Sequence, residues 1–164
     1  MRDGKSLHIS ILVGRSAHPQ AVIDDLWNRA AAAVGDAGGH ISGTAVYTHD
    51  GETTVTPADD RVSVVALPKP RAGRLTSLVS ALASKAGPVG VVARLVRDNL
   101  ESRRLARTMA GRADLVETFS ASDVVVAADI TADRSVWQLR NRTAAGLVHG
   151  PVAMLHALRN AAGS

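Results

Sequence analysis

The sequence predicts an α/β fold: a Rossmann-like, doubly wound, mostly parallel sheet of about five strands with helices on both faces. Short apolar runs rich in β-branched residues alternate along the chain with longer segments of helical periodicity. Glycine, proline or polar residues follow each strand-like run. The 164 residues, of which 46% are hydrophobic and 21% charged, are enough for a single domain over residues 1–164.

Five apolar runs predict the strands. The first, LHISILV, is β-branched and ends at Gly14, which is typical of a central strand buried on both faces. The runs HISGTAVYT, RVSVVAL, DVVVAA and AGLV follow in order. Because helical segments separate them, we expect parallel pairing through right-handed crossovers. The predicted strands cover residues 7–13, 40–48, 61–67, 123–128 and 145–148.

Helical spacing of apolar residues fills the intervals between the strands. Pro19 suits the first turn of a helix, and Gly87-Pro88 separates two helices in the long interval after the third strand. A later helix has Trp137 as its apolar anchor. The predicted helices cover residues 21–34, a segment beginning at 75, and residues 89–110, 134–142 and 152–162.

Composition excludes several classes of protein. The absence of cysteine excludes a disulfide scaffold, a thiol nucleophile and a cysteine-based zinc site. The N-terminal apolar run is short and lacks a cleavage site, and no apolar stretch is long enough to span a membrane. We therefore expect a cytoplasmic protein, with a peripheral position at a membrane as an alternative. With no HExxH motif and no Asp/His cluster, neither a metal site nor a cofactor is predicted.

Positive charge is concentrated in one segment. Residues 69–112 carry ten basic and two acidic residues, whereas the flanking parts of the chain are weakly acidic. The helix predicted within this segment is basic on one side and apolar on the other. Its basic side is either a solvated outer face, a contact with an anionic membrane surface or a contact with an acidic protein partner. Nucleic acid is the less favoured partner because aromatic residues for base stacking are missing. The helical arginines at issue are Arg94, Arg97, Arg103, Arg104 and Arg107.

Ligands of doubly wound sheets bind beyond the carboxyl ends of the strands. That rule selects the segments Gly14-Arg15-Ser16, Asp129-Ile130-Thr131 and His149-Gly150-Pro151. Only one glycine follows the first strand, so neither GxGxxG nor GxxxxGK[ST] is present and a nucleotide site is not expected there. The first segment either holds one anionic group or is an ordinary turn.

Two residues at this edge are candidate catalysts, each with a structural alternative. Asp129 is either a catalytic or ribose-binding carboxylate or the N-cap of the next helix, for which Thr131 and Asp133 also qualify. His149 is either a general base or a strand-end histidine bonded to the backbone. His18 is the other candidate histidine. A triad of Ser16, His149 and Asp129 is disfavoured because no GxSxG motif supports it.

Three stretches resemble the N-terminal half of GT-B glycosyltransferases of the family-4 type. They are LHISILVGRS, the basic helical stretch 71–112, and SDVVVAADITADRSVWQLRNRTAAGLVHG. The resemblance implies a site in which each carboxyl-edge residue contributes to acceptor binding. It makes His149 the base, with Asp129 and Thr131 positioning hydroxyls. Gly14, Arg15 and Ser16 would orient the acceptor, and Gly150 is a further candidate ligand-binding residue.

The chain departs from the GT-B pattern on the donor side. It lacks the family's pair of spaced glutamates, and it stops where a nucleotide-sugar domain would begin. We therefore expect an acceptor-side or accessory subunit that is inactive alone and works with a second protein chain. The alternative is a non-enzymatic interaction or scaffold module that uses the basic helices of residues 69–112. A small hydrolase or nucleotide-handling enzyme complete in one domain is the third hypothesis.

Overall fold

A computed structural model describes residues 5–49, 51, 53–57, 59–69 and 74–163. It contains one five-stranded sheet in which every pair of neighbouring strands is parallel. The spatial order is β3-β2-β1-β4-β5, so the chain reverses its direction of winding between β1 and β4. The predicted fold class is confirmed. The strands are β1 (Ser6–Val13), β2 (His40–His49), β3 (Val62–Pro68), β4 (Val124–Ala127) and β5 (Gly146–His149).

Helices cover both faces of the sheet, as predicted. On one face α1 and α6 pack over β1, β2 and β4, and on the other face α3, α4 and α5 cover the same strands. The α2 helix contacts mainly α3. The helices are α1 (Pro19–Gly35), α2 (Arg74–Ala83), α3 (Pro88–Ala110), α4 (Ala113–Ser120), α5 (Ile130–Trp137), the 3₁₀ turn Gln138–Asn141 and α6 (Gly150–Gly163).

The central strand explains why two separate cores form. In β1 alternate side chains point to opposite faces, so Ile9 and Ile11 enter the core beneath α1, while Leu12 enters the core beneath α3 and α5. Two large aromatic side chains are fully buried, one in each core: Trp27 and Phe119. These two residues are the anchors of the molecule.

Trp137 was the predicted anchor of its helix, and that prediction is wrong. The side chain is 60% exposed, because the face of α5 that meets the sheet carries Ala132 and Val136. The helix also begins at Ile130 and not at Arg134, since Asp129 supplies the N-cap. The short helix α4, whose Leu115 and Phe119 are buried, was not predicted.

The C-terminal connection is shorter than predicted. No loop separates β5 from α6, because Gly150 follows His149 directly and begins the helix. Its φ of +72° is a conformation that glycine adopts without strain. Within the described residues no helix has the length and apolarity needed to cross a bilayer. Residues 70–73 of the predicted basic segment lie outside the described residues.

Candidate functional site

The segments after β1 and β4 meet at the carboxyl edge of the sheet, as expected for the point where the winding direction reverses. The backbone N–H groups of Gly14 and Arg15 both donate to Oδ2 of Asp129, at 2.8 and 3.0 Å. Two peptide groups of one loop are thus held by a carboxylate from the next strand in the sheet. The hydrogen bonds fix the loop after β1 against the start of α5.

The second oxygen of Asp129 caps α5. Oδ1 accepts hydrogen bonds from the backbone N–H groups of Thr131 and Ala132, at 2.9 and 3.2 Å, and from the Thr131 hydroxyl. Of the two hypotheses for Asp129, the N-cap is therefore observed, whereas a catalytic role stays a prediction. The backbone N–H groups that a bound phosphate would use at this edge already donate to a carboxylate of the protein.

Gly14 lies where no side chain fits. A Cβ atom built on it would lie 2.3 Å from Oγ1 of Thr131, 2.9 Å from Oδ1 of Asp129 and 2.9 Å from Cδ2 of Leu105. These distances are well below van der Waals contact. The absence of a side chain at Gly14 therefore permits the close packing of Asp129, Thr131 and Leu105 around the end of β1.

Arg15 and Ser16 are engaged within the protein. The Arg15 guanidinium forms ion pairs with Asp98 at 2.9 Å and Glu101 at 3.3 Å, both on α3. Oγ of Ser16 accepts a hydrogen bond from the backbone N–H of His18, whose side chain is exposed. Because the Arg15 side chain is 48% exposed, an anionic ligand at this loop would compete with two carboxylates for it.

His149 forms a pair that the sequence analysis did not anticipate. Its Nδ1 lies 2.5 Å from Oδ1 of Asp133, in the first turn of α5. An ionised carboxylate only accepts hydrogen bonds, so Nδ1 carries a proton, and in the neutral imidazole Nε2 then presents a lone pair. No described residue forms a hydrogen bond to Nε2. Strand β5 is the neighbour of β4 in the sheet, so the first turn of the helix that follows β4 lies beside the end of β5. From this topology the sequence could have predicted that Asp133 lies near His149.

The His149–Asp133 pair lies in an open cleft of about 350 Å³ at the end of β5. Trp137 forms one wall, and the Arg140 guanidinium lies 5.9 Å from its ring centroid. The cleft combines a polar pair, a flat aromatic surface and access to solvent. Its remaining lining residues are apolar: Ala127, Val136, Leu147 and Val148.

The edge therefore contains two clusters and not one. Asp129 is bonded to Gly14, Arg15 and Thr131, whereas His149 is bonded to Asp133. The triad of Ser16, His149 and Asp129 is not assembled by any hydrogen bond among the described residues. Nor do three or more metal-ligating side chains come together in the described part of the chain.

The arginines of α3 differ in exposure. Arg94, Arg103 and Arg107 are exposed, whereas Arg97 and Arg104 are partly buried. Arg97 lies 3.4 Å from the Asp98 carboxylate. The three exposed arginines present cationic groups to solvent, whereas the predicted role of all five as one basic contact surface stays a prediction.

Comparisons with protein-family models, curated proteins and solved structures give no match to this chain. The GT-B relationship accordingly stays a prediction, and the geometry of the carboxyl edge carries the functional argument.

Proposed function

We propose that the chain is a GT-B-like acceptor-side domain, inactive alone, in which the His149–Asp133 pair binds and deprotonates an acceptor hydroxyl. The observation that carries the proposal is the 2.5 Å contact between Nδ1 of His149 and Asp133. That contact fixes the imidazole so that Nε2 is free to accept a proton from a hydroxyl in the cleft. A carboxylate behind an imidazole also stabilises the imidazolium that forms.

The cleft is suited to a ring-shaped, hydroxyl-bearing ligand. The apolar face of such a ring packs on the Trp137 indole, and its hydroxyl groups reach the His149 imidazole and the Asp133 carboxylate. Asp129 holds the two edge segments together by taking four backbone N–H groups. In this proposal Asp129 positions the site and Thr131 is held with it, while the reacting groups are those of His149 and Asp133.

A second protein chain supplies the sugar donor in this proposal. The N–H groups of Gly14, Arg15, Thr131 and Ala132 are all occupied, which supports an acceptor role over a nucleotide role for this edge. Closure of the donor-side chain over the cleft would exclude water and align the hydroxyl with the sugar.

The test is capture of the tagged chain from its native cells at native abundance, followed by sugar transfer in the recovered complex. The donors are radiolabelled UDP-glucose and GDP-mannose, added with a cell extract as the source of acceptor. We expect a nucleotide-sugar-binding chain in equal amount, and a loss of transfer of about 10²–10⁴-fold in His149→Gln. His156→Gln is the matched control, because His156 is an exposed histidine on α6 away from the cleft. Recovery of the chain alone, or equal transfer by both variants, would contradict the proposal.

The second candidate function is a non-enzymatic interaction module. The exposed cations Arg103 and Arg107 on α3 favour it. In that case replacement of Arg97, Arg104 and Arg107 by glutamine abolishes capture of the partner, and replacement of His149 has no effect on it. The hypothesis of a peripheral position at a membrane depends on the same exposed arginines of α3.

A further inference from the structure

Most exposed apolar side chains of the molecule lie in one place. Ten large hydrophobic residues are exposed within the described residues, and seven of them belong to α2 and the first half of α3. We call this region, residues 77–97, the hairpin tip. Clustered exposed apolar groups are costly in water and mark a contact surface. The seven residues are Leu78, Leu82, Val89, Val91, Val92, Leu95 and Val96.

The apolar residues of the hairpin tip face two directions. Val92 and Val96 line a wholly apolar cleft of about 410 Å³ between α2 and α3, while Val91 and Leu95 are turned away from it. At about 100° per residue, the exposed apolar positions of α3 span roughly 160° of the helix circumference. A single segment bound in the cleft would leave Leu95, which is 66% exposed, in water. The occupant must therefore cover the hairpin tip from more than one side.

The hairpin tip projects beyond the carboxyl edge of the sheet. Arg15, at that edge, pairs with Asp98 and Glu101, so the middle of α3 is level with the end of β1. Because Leu105 and Met109, later in α3, pack in the core on the sheet, the ten residues before Asp98 continue the helix by about 15 Å away from it. In that stretch only Gly90 and Ala93 are buried, and within the described residues α2 has its main contacts with α3, so the described part of the sheet leaves the tip largely uncovered.

Cationic groups accompany the apolar surface. Lys85 lies in the turn between the two helices, and Arg94 and Arg97 lie on α3 within the hairpin tip. Arg103 follows on an exposed position two turns later. No acidic residue occurs between residues 61 and 97, and the Asp98 carboxylate that follows lies 3.4 Å from Arg97, so Lys85, Arg94 and Arg103 carry the charge argument. Lysine and arginine stems pack along apolar surface while their charged groups stay in the polar layer.

We propose that the hairpin tip inserts into the interfacial layer of an anionic phospholipid bilayer. Insertion covers both apolar directions at once, which a ligand in the cleft cannot do, and it brings the cations to the lipid phosphates. The inserted surface continues into the part of α3 that pairs with Arg15 at the carboxyl edge. None of the acceptor-site residues takes part in the insertion, so a test of membrane binding is independent of a test of the proposed function.

Vesicle flotation with the full chain tests the insertion. The vesicles are pure phosphatidylcholine, or phosphatidylcholine and phosphatidylglycerol at about seven to three, in about 0.1 M and 0.5 M salt. We expect flotation with the anionic vesicles, at least about tenfold weaker with the neutral ones, and weakening as salt rises. Equal association with both kinds of vesicle, or association with neither, would overturn the proposal.

Paired variants separate the apolar from the charged contribution. Val92→Gln/Leu95→Gln is compared with Ile130→Gln/Val152→Gln, which alters two equally exposed apolar residues elsewhere. Lys85→Gln/Arg103→Gln is compared with Arg134→Gln/Arg159→Gln, which removes the same charge from exposed positions on α5 and α6. We expect each hairpin-tip pair to raise the lipid concentration for half-binding by about tenfold or more. If the control pairs weaken vesicle binding as much as the hairpin-tip pairs do, the hairpin tip is not the membrane-binding surface.

Depth measurement makes the location direct. The chain has no cysteine, so a single introduced thiol takes one environment-sensitive fluorophore. A label at Leu95→Cys should shift to the blue and be quenched by lipids brominated in their acyl chains, while a label at Val152→Cys should not. If the Leu95→Cys label stays in water, or if sedimentation shows that the tip joins two copies of the chain and Leu95→Gln separates them, the bilayer is the wrong occupant.

Discussion

The Asp129 carboxylate fulfils two structural roles with one side chain. It caps α5, and it binds the two peptide groups that follow β1. In many doubly wound folds a bound phosphate occupies the corresponding place between a glycine-rich loop and a helix N-terminus. Here the negative charge is built into the chain, so the edge is organised before any ligand arrives.

Removal of that carboxylate should destabilise the fold. We expect Asp129→Ala to lower the free energy of unfolding by about 2–3 kcal/mol, because it removes an N-cap and leaves the peptide groups of Gly14 and Arg15 without an acceptor. Urea unfolding followed by circular dichroism measures the loss. Asp36→Ala, at an exposed carboxylate just after α1, is the control and should be near neutral. A loss below about 1 kcal/mol would show that Asp129 is not the junction we describe.

A pair of glycine substitutions tests the packing at the same junction. Gly14→Ala should cost about 1–3 kcal/mol, because the new Cβ overlaps side chains from α3 and α5. Gly35→Ala should instead be neutral or stabilising by up to about 1 kcal/mol, because it lies in the last turn of α1 with no atom within 4 Å of the new Cβ. Thermal unfolding of both variants decides the matter, and equal effects would count against tight packing at Gly14.

His8 gives stability a pH dependence of predictable sign. Its ring lies between β1 and β2, with Nδ1 3.0 Å from the Ser42 hydroxyl and Nε2 3.3 Å from that of Thr44. Burial lowers the pKa of His8 below 6.5, and the nearby Asp123 carboxylate opposes that effect only in part. The unfolded chain therefore binds the proton more tightly. The stability that the neutral ring provides is complete above about pH 6.5 and decreases as the pH falls towards the folded-state pKa.

The slope from one such group is at most about 1.4 kcal/mol per pH unit. Urea titrations at several pH values between about 5 and 7.5 should show it in the parent chain and a smaller slope in His8→Gln. The control is His156→Gln, at an exposed position on α6, which should keep the parental slope. Stability that rises as the pH falls would contradict the assignment.

At the scale of elements, the periodicity of the sequence predicts most of the fold, and its failures have local causes. The α4 helix is only eight residues long, so its two buried positions, Leu115 and Phe119, make too short a pattern to recognise. The sequence predicts that α5 starts at Arg134, because Asp133 qualifies as its N-cap as well as Asp129 does. In the structure the backbone N–H groups donate to Asp129, and the helix starts at Ile130.

The candidate site was predictable only to the level of loops. The rule for parallel sheets selects the segments that contain Gly14, Asp129 and His149, and the structure places all three at the carboxyl edge. The partners of these residues were not predictable. The contact of Asp133 with His149 depends on the rotation of α5 about its axis, and the pairing of Arg15 depends on where α3 crosses the edge.

Exposure of Trp137 is the element-level feature that optical spectroscopy can test. The two tryptophans differ sharply: Trp27 on α1 is buried against the sheet, while Trp137 on α5 is 60% exposed beside His149. Acrylamide should quench a long-wavelength component of the emission that disappears in Trp137→Phe. In Trp27→Phe nearly all of the remaining emission should be quenchable. Emission that resists acrylamide in Trp27→Phe would show that Trp137 is packed, and the cleft would then be closed.

For the whole molecule, stability should be unevenly distributed. The central strand β1 contributes to both cores, and residues Ile11–Val13 are fully buried. The hairpin tip lies outside both cores, and α2, with ten residues, gains support mainly from α3. A helix of that length is marginal without tertiary packing. We therefore expect the hairpin tip to open at a much lower free-energy cost than the sheet.

Amide hydrogen exchange measures this difference directly. Amides of β1 and β4 should exchange only through global unfolding. Amides of the hairpin tip should exchange through local opening, at a small fraction of the free energy of global unfolding. Asp129→Ala should accelerate exchange in the sheet and leave the hairpin tip unchanged, which makes it the internal control. Anionic vesicles should protect residues 78–97 selectively if the tip inserts, since the bilayer would supply the packing that the fold does not. Exchange of the hairpin tip at the global rate would instead make it part of the cooperative core, and its apolar surface would then need a permanent partner.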